Sequence, residues 1–247
     1  MTAVNPGPSN APGIWMSEWE TPGGHTATLQ YRGGTSDWNT ISACLRNPMG
    51  DNGDEYHLPS GLHGWALDLG AHVGSVTVGL LLDNPGLRVL AIEAVPPNVE
   101  MIEANLQING VSDRAVVWNA AAWSKAGQIT VEYGYTGNEI AEVHQFIGSV
   151  SPWISDVPRE YAKVRSVTLR QALAVTKGQG FVWVKSDCEG CEHPFFRGKS
   201  LAKLGVIEGE WHERDGTPES FAETLSQTHE VSWGQGVGGG PFTAVPR

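Results

Sequence analysis

The amino-acid sequence predicts an α/β fold with a mostly parallel central sheet, helices on both faces of the sheet and an N-terminal cap. The first observation is an alternation. From residue 65 onward, short apolar runs of strand length are separated by segments with helical periodicity, which is typical of parallel β-α-β units. The second is a glycine-containing turn, Asp68 to Gly74, between the first apolar run and the first helical segment. Such a turn lies at the ligand-binding edge of an open α/β sheet.

The chain has 247 residues, enough for one main domain and a cap. Residues 1–13 are rich in Pro, Gly, Asn and Ser and predict a disordered tail. Residues 14–64 contain several tryptophans and glycines but no long periodic stretch, so we expect a cap there, with a short strand at 28–32 and a helix at 36–45. Residues 65–247 form the predicted main domain.

Each apolar run of the main domain predicts a strand. Strands are expected at 65–69, 88–94, 115–118, 128–132, 181–185 and 204–209, with a closing antiparallel pair at 229–233 and 242–245. Helices are expected directly after the glycine turn, between Pro96 and Asn109, and at 168–175 and 217–225.

Two segments outside this alternation are candidates for contact with a ligand. Residues 133–163 contain glycines, aromatic residues and His144, and we expect a long irregular insertion that forms part of an acceptor pocket. A purely structural excursion is the alternative. The segment Asp54-Glu55-Tyr56 precedes the first core strand. Its polar atoms either reach the mouth of the fold or form a solvated turn.

The glycine turn narrows the choice of ligand. A helix N-terminus can present bare backbone N–H groups to a ligand, and Gly70 and Gly74 allow close packing and close approach to the main chain. A dinucleotide fingerprint has glycine two positions after the first one, whereas this chain has His72. Asp68 is expected to point into the mouth, where its carboxylate repels phosphate. Glu93 ends the second strand, where a carboxylate accepts ribose hydroxyls.

These features predict a ligand that is a nucleoside with a positive group and no phosphate, and S-adenosyl-L-methionine is such a molecule. The alternative is an ordinary glycine turn of an α/β protein. Asn119 and Ala120 follow the third strand, where an amide and a small residue can flank an adenine.

A polar cluster is expected at the same edge of the sheet, on the side away from the nucleoside. Its members follow two apolar strands: Asp187, Glu189, Glu192, Glu210 and His212. Acids are almost never buried without a partner, so the cluster indicates a function. Helix N-caps and exposed carboxylates near helix dipoles are the alternative. That alternative explains Glu189 and Glu192 better than Glu210 and His212.

The cysteines indicate neither a metal site nor a secreted disulfide scaffold. Cys188 and Cys191 have C-x-x-C spacing, but a zinc site needs a second pair of ligands, and Cys44 is the remaining cysteine. A thioredoxin-type pair follows a different strand and turn. We therefore interpret the pair as small buried side chains.

Bulk composition sets further limits. A net charge of −11 argues against a broad nucleic-acid footprint, because phosphate contacts need Lys and Arg. No apolar run is long enough to span a membrane, and the N-terminus lacks the pattern of a signal peptide. We therefore expect a cytoplasmic protein with a small-molecule partner, no nucleic acid and no membrane. The oligomeric state stays open.

Residues 65–213 resemble the FkbM-type S-adenosylmethionine-dependent methyltransferases. The resemblance rests on D-L-G-A-H-V-G at 68–74, E-A-V-P-P-N at 93–98, and above all D-C-E-G-C-E at 187–192 with E-W-H at 210–212. The family usually has Asn in place of His72 and small apolar residues at the two cysteine positions. It implies a Rossmann-like class I methyltransferase fold, S-adenosyl-L-methionine as donor, and an oxygen acceptor on a small molecule, sugar or polyketide.

Two groups of site residues follow from these patterns. The predicted cofactor-binding group is Asp68, Gly70, His72, Gly74, Glu93, Asn119 and Ala120. The predicted catalytic group is His212, Asp187, Glu189 and Glu210. His212 is the natural general base, because the ordinary pKa of histidine, about 6.5, lies near neutrality. One of the acids could serve instead, or hold His212 in the right tautomer.

Several alternatives stay open at this stage. A divalent cation that bridges Asp187 and Glu210 is a weaker option, and no metal site is predicted. An amine or a carboxylate could replace the hydroxyl acceptor, and a carboxylate needs no base. A nucleotide-binding dehydrogenase is disfavoured by His72 and Asp68. A non-catalytic nucleotide-binding protein is disfavoured by the polar cluster.

Overall fold

The computed structural model describes residues 13–46, 56–135, 140–145, 159–199, 201–212, 216–234 and 240–247. Residues 1–12 of the predicted tail lie outside this part of the chain, as do 136–139 and 146–158 of the predicted insertion.

The centre of the molecule is a run of five parallel strands. They are β3 (Gly64–Leu69), β4 (Leu87–Glu93), β5 (Ala115–Ala122), β9 (Phe181–Ser186) and β10 (Leu204–Trp211), and they lie side by side in the order β10-β9-β3-β4-β5. Most residues of β3, β4 and β9 are buried, as expected for strands covered on both faces. The predicted α/β fold with a mostly parallel central sheet is confirmed.

Antiparallel strands extend the sheet on both sides. Beyond β10 lie β12 (Gly240–Pro246) and then β11 (His229–Trp233), the closing pair that the sequence predicts. Beyond β5 lie β8 (Arg159–Val167), β6 (Gly127–Tyr135) and β7 (Ile140–Gln145). β8 is parallel to β5, and β6 is antiparallel to both of its neighbours, β8 and β7.

The prediction that residues 133–163 form an irregular insertion is wrong for those of them that the structure describes. Residues 133–135, 140–145 and 159–163 belong to β6, β7 and β8. The strands form because their main-chain partners come from distant or returning segments, which local periodicity does not reveal. β5 also continues four residues beyond its predicted end, since β8 pairs with Ala120–Ala122. Asn119 therefore lies inside a strand.

Helices cover both faces of the sheet, and each face has its own apolar core. One core includes residues of α2 (Ser75–Asp83) and α3 (Pro96–Ile108), together with the N-terminal cap. The other includes residues of α4 (Leu169–Val175), α5 (Glu192–Phe196) and α6 (Pro218–Ser226). Thr217 caps α6 and Pro218 opens it, as predicted. Among the helices of the described residues, none combines the length and apolar character needed to cross a lipid bilayer.

The cap is a β-hairpin followed by one helix. β1 (Ile14–Glu20) pairs with β2 (Thr26–Arg32), and α1 (Asp37–Cys44) follows. The predicted strand and helix are confirmed, and β1 is an additional strand. Trp19, Tyr31 and Trp38 pack against one another in the core of the cap.

Two asparagines, Asn105 of α3 and Asn109 directly after this helix, attach the hairpin to the main domain. Asn105 accepts a hydrogen bond from the Gln30 N–H (2.6 Å) and donates to the Gln30 carbonyl (3.1 Å). Asn109, one turn later, does the same with both backbone groups of Thr28 (2.9 and 2.7 Å). The side-chain amides thus satisfy the free edge of β2 as a neighbouring strand would. Asn105 also donates to the carbonyl of Val73 (2.8 Å), which links the cap to the glycine turn.

Gly70 is required by its backbone conformation and by a close approach of the chain. Its φ is +73°, and a Cβ atom at this position would lie 1.8 Å from the carbonyl oxygen of Asp187. The space beside Gly70 is therefore filled by the loop after β9, and not by a ligand as the sequence suggested. Gly74 (φ +86°) precedes α2, and a Cβ there would contact Ile102 of α3.

We expect Gly70→Ala to destabilise the protein more than Gly110→Ala. Gly110 also has a left-handed φ, +66°, but open space around it, so its substitution costs only the left-handed penalty of about 1–2 kcal/mol. Gly70→Ala adds a collision with the Asp187 backbone. Urea unfolding of the two variants measures the difference, and equal losses would contradict the close contact.

Candidate functional site

The predicted site residues lie at one edge of the sheet. β3 and β4 end close to Asp68 and Glu93, β9 is followed by Asp187, and β10 carries Glu210 and is followed by His212. Because these strands are parallel neighbours, their carboxyl ends meet at the same edge, where ligands bind in open α/β sheets.

The glycine turn does not present bare N–H groups, contrary to expectation. The N–H groups of Gly70 and Ala71 donate to the carbonyl of Ile92 (2.9 and 3.3 Å), and that of Gly74 donates to the Ala71 carbonyl (2.8 Å). The His72 N–H donates to Glu93 (2.9 Å). These four donors are satisfied within the protein, so the turn lacks the donor array that cradles a phosphate.

Glu93 braces the turn and keeps one position for a ligand. Its buried carboxylate accepts hydrogen bonds from the N–H groups of His72 and Val95 (both 2.9 Å) and from the Asn98 side chain (3.3 Å). Burial raises the pKa of Glu93, and these hydrogen bonds oppose the rise. A carboxylate has about four acceptor positions, so one remains for a hydroxyl.

Asp68 does not point into the mouth of the edge. Its carboxylate is completely buried, accepts a hydrogen bond from the Thr77 hydroxyl (2.6 Å), and lies 3.7 Å from Lys185 Nζ. Burial raises the pKa of Asp68, while the charge of Lys185 opposes the rise. Asp68 is linked to the candidate site by its ion pair with Lys185. Its place in the cofactor-binding group stays a prediction.

Lys185 is the central cation of the site, and the sequence-based list of site residues missed it. Its Nζ donates to the carbonyl of Gly70 (2.6 Å) and lies 3.5 Å from Asp187. Burial disfavours the charged amine, but Asp187 and Asp68 outweigh burial and raise the pKa of Lys185. One sequence signal could have identified Lys185, because it is a lysine near the end of an apolar strand. A lysine that is buried there needs acidic partners.

His72 connects the glycine turn to the cap. It has a positive φ of 51°, a conformation that Asn and His adopt more readily than most residues. Its Nε2 lies 3.4 Å from Asp37, and Asp37 forms a buried salt bridge with Arg32 (2.7 Å). Burial lowers the pKa of His72 to about 4, although the charge of Asp37 opposes the shift, so the ring is neutral at pH 7. Its Nδ1 is buried without a hydrogen-bond partner in the described part of the chain.

Asn119 and Ala120 lie at the end of β5 nearest Glu93. The Asn119 amide donates to the carbonyls of Glu93 and Ala94 (both 3.1 Å) and so fixes the loop after β4. Ala120 is buried in the apolar core on one face of the sheet. Both positions suit a scaffold beneath an adenine, and their contact with a cofactor stays a prediction.

The cofactor side of the edge fits S-adenosyl-L-methionine. Glu93 has an acceptor position for a ribose hydroxyl, His72 Nδ1 is an unpartnered buried polar atom, and the turn holds no phosphate cradle. The acids of the edge suit a cationic sulfonium. The assignment of Glu93 and His72 to the cofactor-binding group stays a prediction that these features fit.

The predicted catalytic residues surround His212. Its Nε2 lies 3.6 Å from Glu189 and 3.9 Å from Glu210, and its Nδ1 lies 3.4 Å from Glu192. One ligand-type atom each from Asp187, Glu210 and His212 lies within 4.8 Å of the others. The structure thus brings the whole predicted cluster together.

Glu192 builds the loop of the cluster and is not an exposed helix-end carboxylate. It is completely buried, and it accepts hydrogen bonds from the N–H groups of Cys188 (2.8 Å) and Gly190 (2.9 Å). The loop is tight, with φ of +57° at Glu189 and +96° at Gly190. Glu192 therefore holds the loop in shape and also fixes one side of the His212 ring.

In this environment the pKa of His212 does not lie near neutrality, contrary to the expectation for a general base. Burial disfavours the charged ring, but the hydrogen bond to Glu192 and the charges of Glu189, Glu192 and Asp187 outweigh burial and raise the pKa of His212 to about 9. In the protein without a bound cation the ring therefore carries a proton at pH 7. The catalytic assignment of His212 stays a prediction, and it no longer rests on a pKa near neutrality.

Tyr56 completes the cluster from the segment before β3. Its hydroxyl donates to Asp187 Oδ2 (2.9 Å), and its ring lies 5.5 Å from Lys185 Nζ. Of the two alternatives for segment 54–56, contact with the mouth of the fold is therefore confirmed for Tyr56. Asp54 and Glu55 lie outside the described residues.

Cys188 and Cys191 form a disulfide, which corrects the interpretation as separate small side chains. Their Cα atoms are 5.5 Å apart, a usual separation for a disulfide. The tight loop held by Glu192 brings the two residues together. The bridge closes the loop between Asp187 and α5.

We expect Lys185→Met to destabilise the protein by about 3–5 kcal/mol, because it leaves Asp68 buried without a countercharge. Adding Asp68→Asn should recover part of this loss, since both charges are then absent. Urea unfolding of the single and double variants measures the coupling. Lys163→Met, at an exposed position of β8, is the control. Strictly additive losses would contradict the pairing.

Comparison with known proteins identifies one family. A sequence model of the family described as "Methyltransferase FkbM domain" matches residues 68–230. Comparison with curated protein sequences finds no match.

Many solved structures are similar to the chain, and two serve as examples. One is precorrin-6y C5,15-methyltransferase from Geobacter metallireducens, with 14% identity over 75% of this chain and 81% of that chain and a TM-score of 0.42. The other is an O-methyltransferase from Bacillus cereus in complex with SAH, with 14% identity over 73% of each chain and a TM-score of 0.43.

Proposed function

Because the chain belongs to the FkbM family of methyltransferases, we propose that it transfers the methyl group of S-adenosyl-L-methionine to a hydroxyl oxygen of a small molecule, sugar or polyketide-like acceptor. The family match bears out the predicted methyltransferase class and, with it, the predicted cofactor. The mostly parallel sheet with helices on both faces bears out the predicted fold class. The acceptor is the new element of the proposal.

The observation that carries the choice of acceptor is the charge of the cluster beside the cofactor edge. Four carboxylates, from Asp187, Glu189, Glu192 and Glu210, surround His212 or lie next to it. Such a site repels an anionic acceptor, which disfavours carboxyl methylation. It favours a neutral acceptor whose hydroxyl groups donate hydrogen bonds to carboxylate oxygens.

The chain's own residues supply alignment and a place for the acceptor proton. When bound, S-adenosyl-L-methionine supplies an electrophilic methyl group on a sulfonium. Glu93 and His72 bind the cofactor. Lys185 connects the glycine turn to the loop of Asp187 through a hydrogen bond and an ion pair. Alignment alone lowers a barrier by about 7–11 kcal/mol in favourable cases. The partly exposed carboxylates of Asp187, Glu189 and Glu210 are the groups that can orient the acceptor hydroxyl and receive its proton.

An amine acceptor is the second candidate, because the same negative charge attracts an ammonium group. An ammonium must lose its proton before it attacks, and nearby carboxylates favour the charged form. The hydroxyl acceptor therefore remains the main proposal. Assays with matched alcohol, amine and carboxylate compounds distinguish the three classes by formation of S-adenosylhomocysteine.

We expect Glu93→Ala to raise the Kd for S-adenosyl-L-methionine at least about tenfold, since it removes a charged acceptor worth about 1.5–3 kcal/mol per hydrogen bond. Calorimetric titration measures the affinity. Glu100→Ala, at an exposed position on α3, is the control. Because Glu93 also braces the turn, the melting temperature must show that the variant is folded. Unchanged affinity in a folded variant would contradict the ribose assignment.

We expect Asp187→Asn to lower turnover by about 10²–10⁴-fold while the affinity for S-adenosyl-L-methionine stays within a few-fold, because a positioned proton acceptor contributes about that much. The measurement is formation of S-adenosylhomocysteine with the best acceptor of the screen, alongside calorimetry. Loss of cofactor affinity instead of turnover would move Asp187 from the acceptor side to the cofactor side.

A further inference from the structure

We propose that Asp187, Glu210 and His212 bind a divalent metal ion at the acceptor side of the edge, and that this ion orients the acceptor hydroxyl. The proposed orientation of the acceptor by the ion rests on the proposed function, because it needs a hydroxyl acceptor. Metal binding by the three side chains rests on geometry alone.

The spacing of the three ligand atoms suits a single ion. A carboxylate oxygen of Asp187, one of Glu210 and a ring nitrogen of His212 all lie within 4.8 Å of one another. Two ligands on the same divalent ion, at about 2.0–2.6 Å each, are separated by at most about 4–5 Å. The three residues thus need little movement to share one ion.

The main chain that carries these ligands is held firmly. β9 and β10 are paired in parallel, with Ser186 opposite Gly209 directly before Asp187 and Glu210. A Cβ on Gly209 would lie 1.9 Å from the Ser186 carbonyl, so the two strands approach closely at this point. Sites built on strand ends are more precise than sites on free loops.

His212 already has the second partner that metal-binding histidines use. Its Nδ1 lies 3.4 Å from Glu192 Oε1, so its Nε2 is the atom on the side of Glu210 and Glu189. A metal-ligating histidine usually donates its other ring N–H to a carboxylate, which orients the ring. Glu192 is completely buried and fixed by two backbone N–H groups, so it is a rigid orienting group.

Asp187 is oriented in a similar way. Its Oδ2 accepts the Tyr56 hydroxyl (2.9 Å) and lies 3.5 Å from Lys185 Nζ. Both partners hold the carboxylate from one side, which leaves the other oxygen for an ion. Asp187, Glu210 and His212 are each partly exposed, with 25%, 39% and 24% of the side chain accessible, so an ion and an acceptor can enter.

The three proposed ligand side chains limit the kinds of ion that fit the site. Two carboxylates and one imidazole suit Mn²⁺, Mg²⁺, Fe²⁺ or Zn²⁺. The disulfide removes Cys188 and Cys191 as thiolate ligands. Three protein ligands also leave open positions for water and for the acceptor hydroxyl, the arrangement of catalytic rather than structural metal sites.

An ion at this position gives the acceptor its reactivity. A divalent ion lowers the pKa of a hydroxyl that binds it. The hydroxyl proton passes to a carboxylate of the cluster or to water, the oxygen forms the new bond to the methyl carbon, and the carbon–sulfur bond breaks with its electron pair on sulfur. The products are the methyl ether and S-adenosylhomocysteine.

The test is direct metal binding to the full chain, first without S-adenosyl-L-methionine or acceptor. After treatment with a chelator, the protein is titrated with Mn²⁺ by calorimetry and by electron paramagnetic resonance. We expect one site per chain. Asp187→Asn, Glu210→Gln and His212→Ala should each weaken Mn²⁺ at least about tenfold, and Glu192→Gln about 10–100-fold through His212. Glu223→Gln, an exposed carboxylate of α6, is the control.

The outcomes separate the two proposals. Absence of Mn²⁺ binding to the wild-type chain, or binding that the three ligand substitutions leave unchanged in folded variants, overturns the metal site. Binding of S-adenosyl-L-methionine is measured separately, so a chain that binds this cofactor but not Mn²⁺ retains the proposed function without the ion. A chain that binds Mn²⁺ through the three residues but forms no S-adenosylhomocysteine with any alcohol keeps the metal site and loses the proposed function.

Discussion

The buried ammonium group of Lys185 is the interaction on which the site depends. Nζ donates to the Gly70 carbonyl and lies within 3.7 Å of carboxylate oxygens of both Asp68 and Asp187. A buried charge is stable only when it is paired and hydrogen-bonded. Lys185 therefore determines where the glycine turn and the loop after β9 lie relative to each other. Gly70 makes this approach possible, because a side chain there would collide with the Asp187 backbone.

The acidic residues of the edge have two distinct roles, and burial separates them. Asp68, Glu93 and Glu192 are buried. Asp68 accepts a hydrogen bond from the Thr77 hydroxyl of α2, and Glu93 and Glu192 accept hydrogen bonds from backbone N–H groups of the loops around them. Asp187, Glu189 and Glu210 are partly exposed and lie around His212. Glu93 and Glu192 shape the loops, Asp68 joins β3 to α2 and to Lys185, and the partly exposed acids are accessible to solvent.

Much of the fold was predictable because its core strands are buried on both faces and read as continuous apolar runs. The runs at 65–69, 181–185 and 204–209 are strands β3, β9 and β10, and Thr217-Pro218 begins α6 as its capping pattern indicates. The prediction of secondary structure failed where a strand forms only because a partner strand pairs with it. β7 and the start of β8 lack an apolar run of their own, and β1 has only the short run at 14–16. These strands form because neighbouring strands offer free main-chain groups. The burial of Asp68 also depends on neighbours distant in sequence, such as Lys185.

The sequence by itself determined the class of the protein. The order of strands and helices, the turn of Asp68 to Gly74 and the motif at 187–192 are local patterns, and local patterns are visible in a linear chain. Only the tertiary structure decided what each polar residue does. Burial of a carboxylate, pairing of Lys185 and protonation of the His212 ring all depend on groups from other strands, loops and helices. Electrostatic and hydrogen-bond energies depend on distance and burial in space, and these become defined only when the chain has folded.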